Sequence, residues 1–424
     1  MSQFLPEGSR DLEAEVKAQY EAFPYPLLET GNEGGTAPAA IPSDLLAINH
    51  YIYAGRRDFS KPFRVLVAGG GTGIATVRLA QQLSRVGCPS KLVYLDLSEE
   101  SRRIAEQRAR TYNLDNIKFY SGSLLNMSKL NLGVFDYIDC GGVLHHLEEP
   151  VTGLEALTDI LAPDGGIGLM LYAPYGRAGI YPIQNMMRLL GEGGQAQRLP
   201  LLKKILAALP ATHLLQHHER FRRGYGDNDA ELVDLFLNPV DRSFDVPQLA
   251  EFCRSAGLRI VRLLPAEKYE PSIYAKEQEV LRRASTMHPM DRAALAELLA
   301  GNIYKHFFFA VHSNNDRETC IEVERSNLAE YVPVLRDMDG AELALQLCGN
   351  NTFAHNLEGT TVVAELNDEM RRLIAQIDGK RSLGEIYFKL ATDKEDMNWT
   401  RFRGTYLDVH RILHDLLYGL FLKR

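Results

Sequence analysis

A chain of 424 residues is long enough for two or three domains and a full hydrophobic core. Lysine and arginine number 47 against 55 acids, a formal net charge of −8, which argues against general binding to nucleic acid or to an anionic membrane surface. No run approaches the roughly 20 apolar residues needed to span a bilayer; the five cysteines, Cys88, Cys140, Cys253, Cys320 and Cys348, are scattered without C-x-x-C, which suits reduced thiols in a cytoplasm, and Met1 to Glu7 has no leader pattern.

In chain order, residues 9–22 have a helical pattern that ends at Pro24-Tyr25-Pro26, since alternating prolines stop a helix and impose an extended path. This segment reads either as a linker whose aromatics pack on the core or as a lid that places Tyr20 and Tyr25 over a pocket. Asn32 to Pro42 is rich in Gly, Ala and Pro and reads as a mobile loop. A helix is expected over 43–57, with Ser43 as its N-cap.

Arg64 to Ala68 is a short, apolar, β-branched run, as in a strand covered on both faces, and Ile74 onward has apolar residues at helical spacing. The turn between them has glycine at 69, 70, 71 and 73, where a ligand can approach the backbone and meet the free N–H groups of the following helix. The dinucleotide fingerprint G-x-G-x-x-G fails at Ile74, and no lysine completes a phosphate-binding loop. A tight strand–helix turn without a ligand is the competing reading.

Lys91 to Asp96 is a second apolar strand ending in an acid, which at the carboxyl end of a doubly wound sheet can take both hydroxyls of a ribose. The competing reading of Asp96 is a cap or surface acid. Ser98 caps the helix that begins with Glu99 and Glu100. Ile117 to Leu124 is a third strand and its end. Phe135 to Leu147 is a fourth strand running into Gly141-Gly142 and His145-His146. Leu154–Leu161 is helical, Pro163 to Gly166 a turn, and Ile167 to Tyr172 a fifth strand. This β-α alternation implies a parallel sheet with right-handed crossovers.

Four ordered segments, Gln19–Pro26, Val65–Gly73, Asp96–Ser98 and Gly142–Pro150, together with Leu171-Tyr172, Arg177 and Asp229 to Arg242, resemble class I S-adenosylmethionine (SAM) methyltransferases. They are most similar to a bacterial group with QYE-x-x-PYP and GVLHHL segments, over about residues 15 to 313. The resemblance implies that Gly69, Gly71 and Gly73 wrap the methionine part of SAM and Asp96 and Leu97 meet the ribose. It also implies that Ser123 and Leu124 flank the adenine, and that Cys140 and Gly141 close the site near the methyl. Ala68 stands where many such enzymes carry an acid for the SAM amino group, and Ser123 where many carry Asp for the adenine; Tyr20 and Tyr25 are expected to supply part of what is missing.

Methyl transfer needs mainly in-line placement of a nucleophile, with proton removal for some acceptors. His145 or His146 is a candidate base, although the pair could equally shape and pack the site. Tyr25 and Tyr172 are further candidates beside the acceptor, and Arg177 could meet an anionic acceptor group.

Residues 173–257 leave the core fold, with helices expected at Ile180–Leu190, Leu201–Leu209 and Asp229–Leu237 as a cap over the substrate side. His213 with His217, and His410 with His414, share helix faces but lack a spacing motif for metal, so they read as polar helix faces. Leu258–Leu264 is a strand, 276–300 a helix, and His306–His312 a last strand, so that a late strand pair suits an antiparallel hairpin.

Beyond residue 316, short strands are expected at Cys320–Glu324 and Val332–Leu335, then a strand Thr360–Asn367 and helices to Leu417. About residues 357 to 422, with Asp378 to Ile386 at their centre, resemble small winged-helix peptide-binding domains. Residues 366–424 hold 11 basic residues and 9 acids, no footprint for a duplex. The expected architecture is a Rossmann-like α/β methyltransferase sheet with a helical cap and a smaller C-terminal α+β, winged-helix-like domain. Its parts are a helical lid (1–60), the SAM domain (61–315) and the C-terminal domain (316–424). The expected activity is methylation of a peptide or protein side chain, with a natural-product acceptor or a non-catalytic SAM-fold protein as alternatives. No nucleic acid, membrane or metal is expected; a homodimer is possible.

Overall fold

The computed structural model describes residues 11–26, 41–191, 193–217, 228–324, 327–349, 352–392 and 397–424. Helix α1 (Leu12–Ala22) is capped by Asp11 and followed by α2 (Leu45–Ile52). The core sheet is built from β1 (Phe63–Ala68), β2 (Ser90–Asp96), β3 (Ile117–Ser121), β4 (Phe135–Gly141), β5 (Leu161–Tyr172), β6 (Leu258–Leu264) and β7 (Lys305–His312). Its order is β3-β2-β1-β4-β5-β7-β6, with β1 to β5 parallel and β7 antiparallel to both its neighbours. The late antiparallel hairpin and the parallel half therefore stand as expected.

Helices α3 (Ile74–Arg85) and α4 (Glu99–Thr111) follow β1 and β2, and α5 (Pro150–Thr158) follows β4. Alternate residues of β1 enter different cores: Leu66 and Ala68 face α5, whereas Val65 and Val67 face α2 and α3. Burial on both faces is why β1 reads as an unbroken apolar run. The cap comprises α6 (Ile180–Leu190), α7 (Gln195–Ala207) and α8 (Asp229–Phe236), joined by a separate cluster that includes Ile183, Leu202 and Phe236, and α9 (Val246–Ser255) leads back to β6. Among the described residues, no helix is long and apolar enough to cross a membrane.

Several local expectations change. Asp44, not Ser43, caps α2, accepting from Leu46 N and Ala47 N, because Ser43 spends its hydroxyl on Asp139. That helix ends at Ile52 rather than 57. Pro163 to Gly166 lie inside β5, where β4 pairs with a register shift, so the residues of a turn instead form an irregular strand start. The single helix expected over 276–300 is two, α10 (Gln278–Ala284) and α11 (Pro289–Ala300). His288-Pro289 makes the break, since a proline opens a helix more easily than it continues one. Of the loop expected at Asn32 to Pro42, residues 32–40 lie outside the described residues, as does His218.

After β7, residues 320–324 form no strand; β8 (Val332–Leu335) is the first. Then come α12 (Gly340–Gln346), the hairpin of β9 (Thr352–Leu357) and β10 (Thr360–Glu365), and α13 (Asp368–Ile374), α14 (Leu383–Thr392) and α15 (Trp399–His410). A π-helical turn over Arg411–Leu416 leads into β11 (Leu420–Lys423), which returns to pair with β8.

His410 and His414 are not on a polar face: they are buried beside His50 of α2, and ligand atoms of the three lie within 4.8 Å of one another. His50 Nδ1 accepts from Leu422 N at 3.2 Å; His414 Nδ1 faces the Leu420 carbonyl and so must donate, leaving Nε2 to accept from Tyr51 at 2.7 Å. Burial and the neighbouring imidazoles push His50 well below its usual range, and His414 to about 3, so both are neutral. These bonds fasten β11 to α2. His213 Nδ1 accepts from Leu215 N and closes a turn.

Candidate active site

A cavity of about 350 Å³ opens where the carboxyl ends of β1, β2, β4 and β5 meet α1 and α8. The loop after β1 forms its floor. Gly69, Gly71 and Gly73 all have positive φ, yet each glycine answers a different constraint. A Cβ on Gly69 would stand 2.2 Å from the Val143 side chain, one on Gly71 2.7 Å from the Tyr25 carbonyl, and one on Gly73 2.6 Å from Ala105 of α4. Gly69 and Gly71 line the cavity; Gly73 does not, because it is the point where α3 packs on α4.

Asp96 is held from both sides, by Gly71 N on Oδ2 (2.7 Å) and Ser98 N on Oδ1 (2.8 Å). Burial raises its carboxyl above the usual range, while these bonds pull it back. Leu97, Ser123 and Leu124 continue the wall on this side. The Ser123 hydroxyl donates to Glu13 of α1 at 2.5 Å, across 110 residues of sequence. Helix α1 is seated there by Glu21, which accepts from Glu99 N (2.7 Å) and Glu100 N (3.1 Å) at the start of α4.

The other end of the cavity is a polar and aromatic cluster on α8. Asp234, 4% exposed, accepts from Tyr20 (2.7 Å) and Tyr172 (3.3 Å), and Asn238 donates to Tyr20 at 3.3 Å. Burial, reinforced by Asp234, raises both phenols well above their usual range, so they act as donors at neutral pH. His146 Nδ1 donates to the Val240 carbonyl (2.6 Å), which leaves Nε2 as the lone-pair atom, 3.9 Å from Asp234 Oδ1. Tyr20 thus faces the α8 end of the cavity, while Tyr25 also lines it and closes on the glycine loop through its backbone carbonyl.

The two histidines divide the roles read from the sequence. His146 lines the cavity; His145 is fully buried, stacked on Tyr172 at 3.8 Å between ring centroids, and held neutral chiefly by burial. Cys140 lies in the core at 0% exposure, one residue before the cavity-lining Gly141, because its strand position points it toward α5. Arg177 is likewise buried, bonded to Asp241 and Tyr304 beneath the Tyr172 ring, and does not line the cavity.

Sequence reasoning missed Glu13, Asp139 and Asp234. Asp139 carried a signal, as an acid inside an otherwise apolar strand, and so did Asp234, between Val233 and Leu235 on a helix with a buried face. Glu13 carried none.

Residues 66–167 match the family model described as a methyltransferase domain. A protein of Synechococcus sp., described only as uncharacterized, is 29% identical over 300 residues, 69% of this chain and 70% of that one. The ubiquinone biosynthesis O-methyltransferase of Albidiferax ferrireducens is 26% identical over 104 residues, 24% of this chain and 39% of that protein. The fold resembles PKMT2 from Rickettsia typhi, at a TM-score of 0.64 and 15% identity over 95% of this chain and 78% of that one. A second PKMT2 structure, in complex with AdoHcy, gives 0.63, 17%, 95% and 77%. The chain therefore carries a SAM-dependent methyltransferase domain of the class I, Rossmann-like fold, and S-adenosylmethionine is its cofactor.

Proposed function

We propose that the chain methylates an amine nitrogen on a peptide or protein side chain, with lysine the first candidate. The observation that carries this reading is the carboxylate of Asp234 on the cavity wall, with Glu231 one turn earlier on α8 and the rings of Tyr20 and Tyr172 beside it. An ammonium entering there meets a charge-assisted acceptor and aromatic faces. An anionic acceptor would be repelled by the carboxylates, and a purely apolar one would gain nothing from them.

In this reading Gly69 and Gly71 leave room for the methionine part of the cofactor, and Asp96 takes the ribose hydroxyls with its remaining lone pairs. Leu97 and Leu124 flank the adenine, with Ser123 and Glu13 at its edge. The absence of Cβ atoms along the loop and the acid held at the end of β2 fit that group. Bound SAM supplies an electrophilic methyl on a sulfonium. The chain's own residues then hold the amine in line, and His146 Nε2 is the lone pair placed to receive the proton that the ammonium must lose, directly or through a water.

The fold also matches that of PKMT2 over 95% of this chain, and lysine-bearing proteins are the first acceptors to try. The C-terminal unit exposes Phe388, Val363 and Leu345, apolar anchors for a peptide chain in this reading. The test is methyl incorporation from labelled SAM into protein and peptide pools before and after their lysines are blocked by acetylation, which turns each amine into a non-nucleophilic amide. Label lost on blocking is expected. Label that survives blocking, or that enters only small metabolites, overturns the amine and the peptide readings respectively.

A further inference from the structure

Strand β1 ends in Ala68, so it brings no acid to the cofactor's α-ammonium. The parallel neighbour β4 does carry one close by: Asp139 stands opposite Val67 in register. Strands lie about 5 Å apart, so an acid one strand over remains within reach of the same ligand group. Pairing with Val67 also sets its direction. Asp139 points to the α2 face of the sheet, where the Ser43 hydroxyl donates to Oδ2 at 2.5 Å and Gly141 N–H donates as well.

Asp139 is 3% exposed and lines the cavity. Among the described residues no lysine, arginine or histidine pairs with it. A carboxylate taken out of water without a cation is costly, and two neutral donors compensate only part of that cost. Arg78 of α3 also lines the cavity, and its guanidinium is held by Asp44 at 3.5 Å, one residue from Ser43. A negative and a positive group therefore both line the cavity, tied together through Ser43-Asp44.

We propose that Asp139 and Arg78 form the amino-acid end of the cofactor site, with Asp139 accepting the α-ammonium and Arg78 the α-carboxylate. The inference rests on the SAM assignment. It explains why Ala68 is tolerated: the acid is supplied from the adjacent strand and the opposite sheet face. It also explains why Ser43 is diverted from capping α2, since its hydroxyl orients the carboxylate. A zwitterion gives Asp139 the cation it lacks and Arg78 a second carboxylate beside Asp44, whereas a ligand lacking the amino-acid part leaves Asp139 without a cation.

The test compares AdoHcy with 5′-methylthioadenosine, which keeps the nucleoside and thioether but lacks the amino-acid part. Calorimetric affinities are measured for the full chain, Asp139→Asn, Asp139→Leu and Arg78→Met. The wild type is expected to bind AdoHcy at least tenfold more tightly than methylthioadenosine. Each variant is expected to lose tenfold or more for AdoHcy and to stay within twofold for methylthioadenosine, which also reports that the pocket is intact. AdoHcy affinity retained within twofold in Asp139→Asn overturns the proposal. So does a parallel loss for both ligands, because recognition would then not be local to the amino-acid end. A wild type that binds neither ligand overturns the cofactor assignment itself, a different outcome from a failure at Asp139.

Discussion

Asp139 also makes a prediction in the ligand-free chain. Burial lifts its carboxyl from 3.8 to about 6, against the pull of hydrogen bonds from Ser43 and Gly141. The folded-state value is raised, so between pH 4 and 6 the folded chain keeps a proton that the unfolded chain has lost. Folding stability therefore falls as pH rises through that window. About two pK units at 1.36 kcal/mol each correspond to ~3 kcal/mol. Asparagine cannot ionise, and its amide can still accept from Gly141 N–H while donating to the Ser43 oxygen. Asp139→Asn should thus gain ~3 kcal/mol relative to wild type between pH 4 and pH 7, in the chain without cofactor. Urea unfolding at several pH values measures this. Circular dichroism is the probe, because the lone tryptophan, Trp399, belongs to the C-terminal unit. A difference that stays flat with pH, or shrinks as pH rises, refutes the argument that the carboxylate is buried without a cation. A variant that is more stable yet binds AdoHcy less well would be a stability–function trade at one residue.

Asp234→Asn keeps the shape of the cluster and removes its charge. Charge-assisted bonds contribute about 1.5–3 kcal/mol, so kcat/KM on a lysine substrate should fall roughly ten- to a hundredfold, with AdoHcy affinity within twofold; an unchanged kcat/KM would count against the amine site. Gly71→Ala forces a Cβ to 2.7 Å from the Tyr25 carbonyl at φ +51°, and should cost about 1–2 kcal/mol or displace the Tyr25–Pro26 segment, read as a lower melting temperature and weaker AdoHcy binding. Phe388→Asp, on a side chain 71% exposed, should leave melting temperature and AdoHcy affinity unchanged and raise KM for a protein substrate; equal KM removes that surface from acceptor recognition. Truncation after residue 316 should lower the melting temperature, because it uncovers Tyr51 and Ala54, which pack against residues beyond that point.

Much of the cavity wall formed by β1, β2 and the glycine loop was legible because its signals are local. A strand, a glycine turn and a helix occupy consecutive residues, and an acid at a strand end marks a sheet edge whatever surrounds it. The glycines needed structure to be told apart: Gly71 is set by the carbonyl of Tyr25, which comes from the N-terminal segment, and Gly73 by α4. His145 and His146 are adjacent and chemically identical. Only the 3₁₀ turn that follows β4 decides that one stacks in the core and the other meets Asp234. His410 and His414 look like a polar face until His50, more than 350 residues earlier in the chain, is seen to pack on them.

The sequence by itself determined the parallel α/β order, the strand–glycine turn–helix of β1 and α3, and the acid at the end of β2. Each rests on periodicity and turn chemistry within a few residues. Tertiary structure alone decided how the site is completed. Glu13 reaches Ser123 across 110 residues, Ser43 reaches Asp139 across 96, and Tyr20 reaches Asp234 across 214. Such pairs depend on which strands are neighbours and which helices dock at their ends. No local pattern encodes them, since what brings these side chains together is the burial of apolar surface elsewhere in the chain.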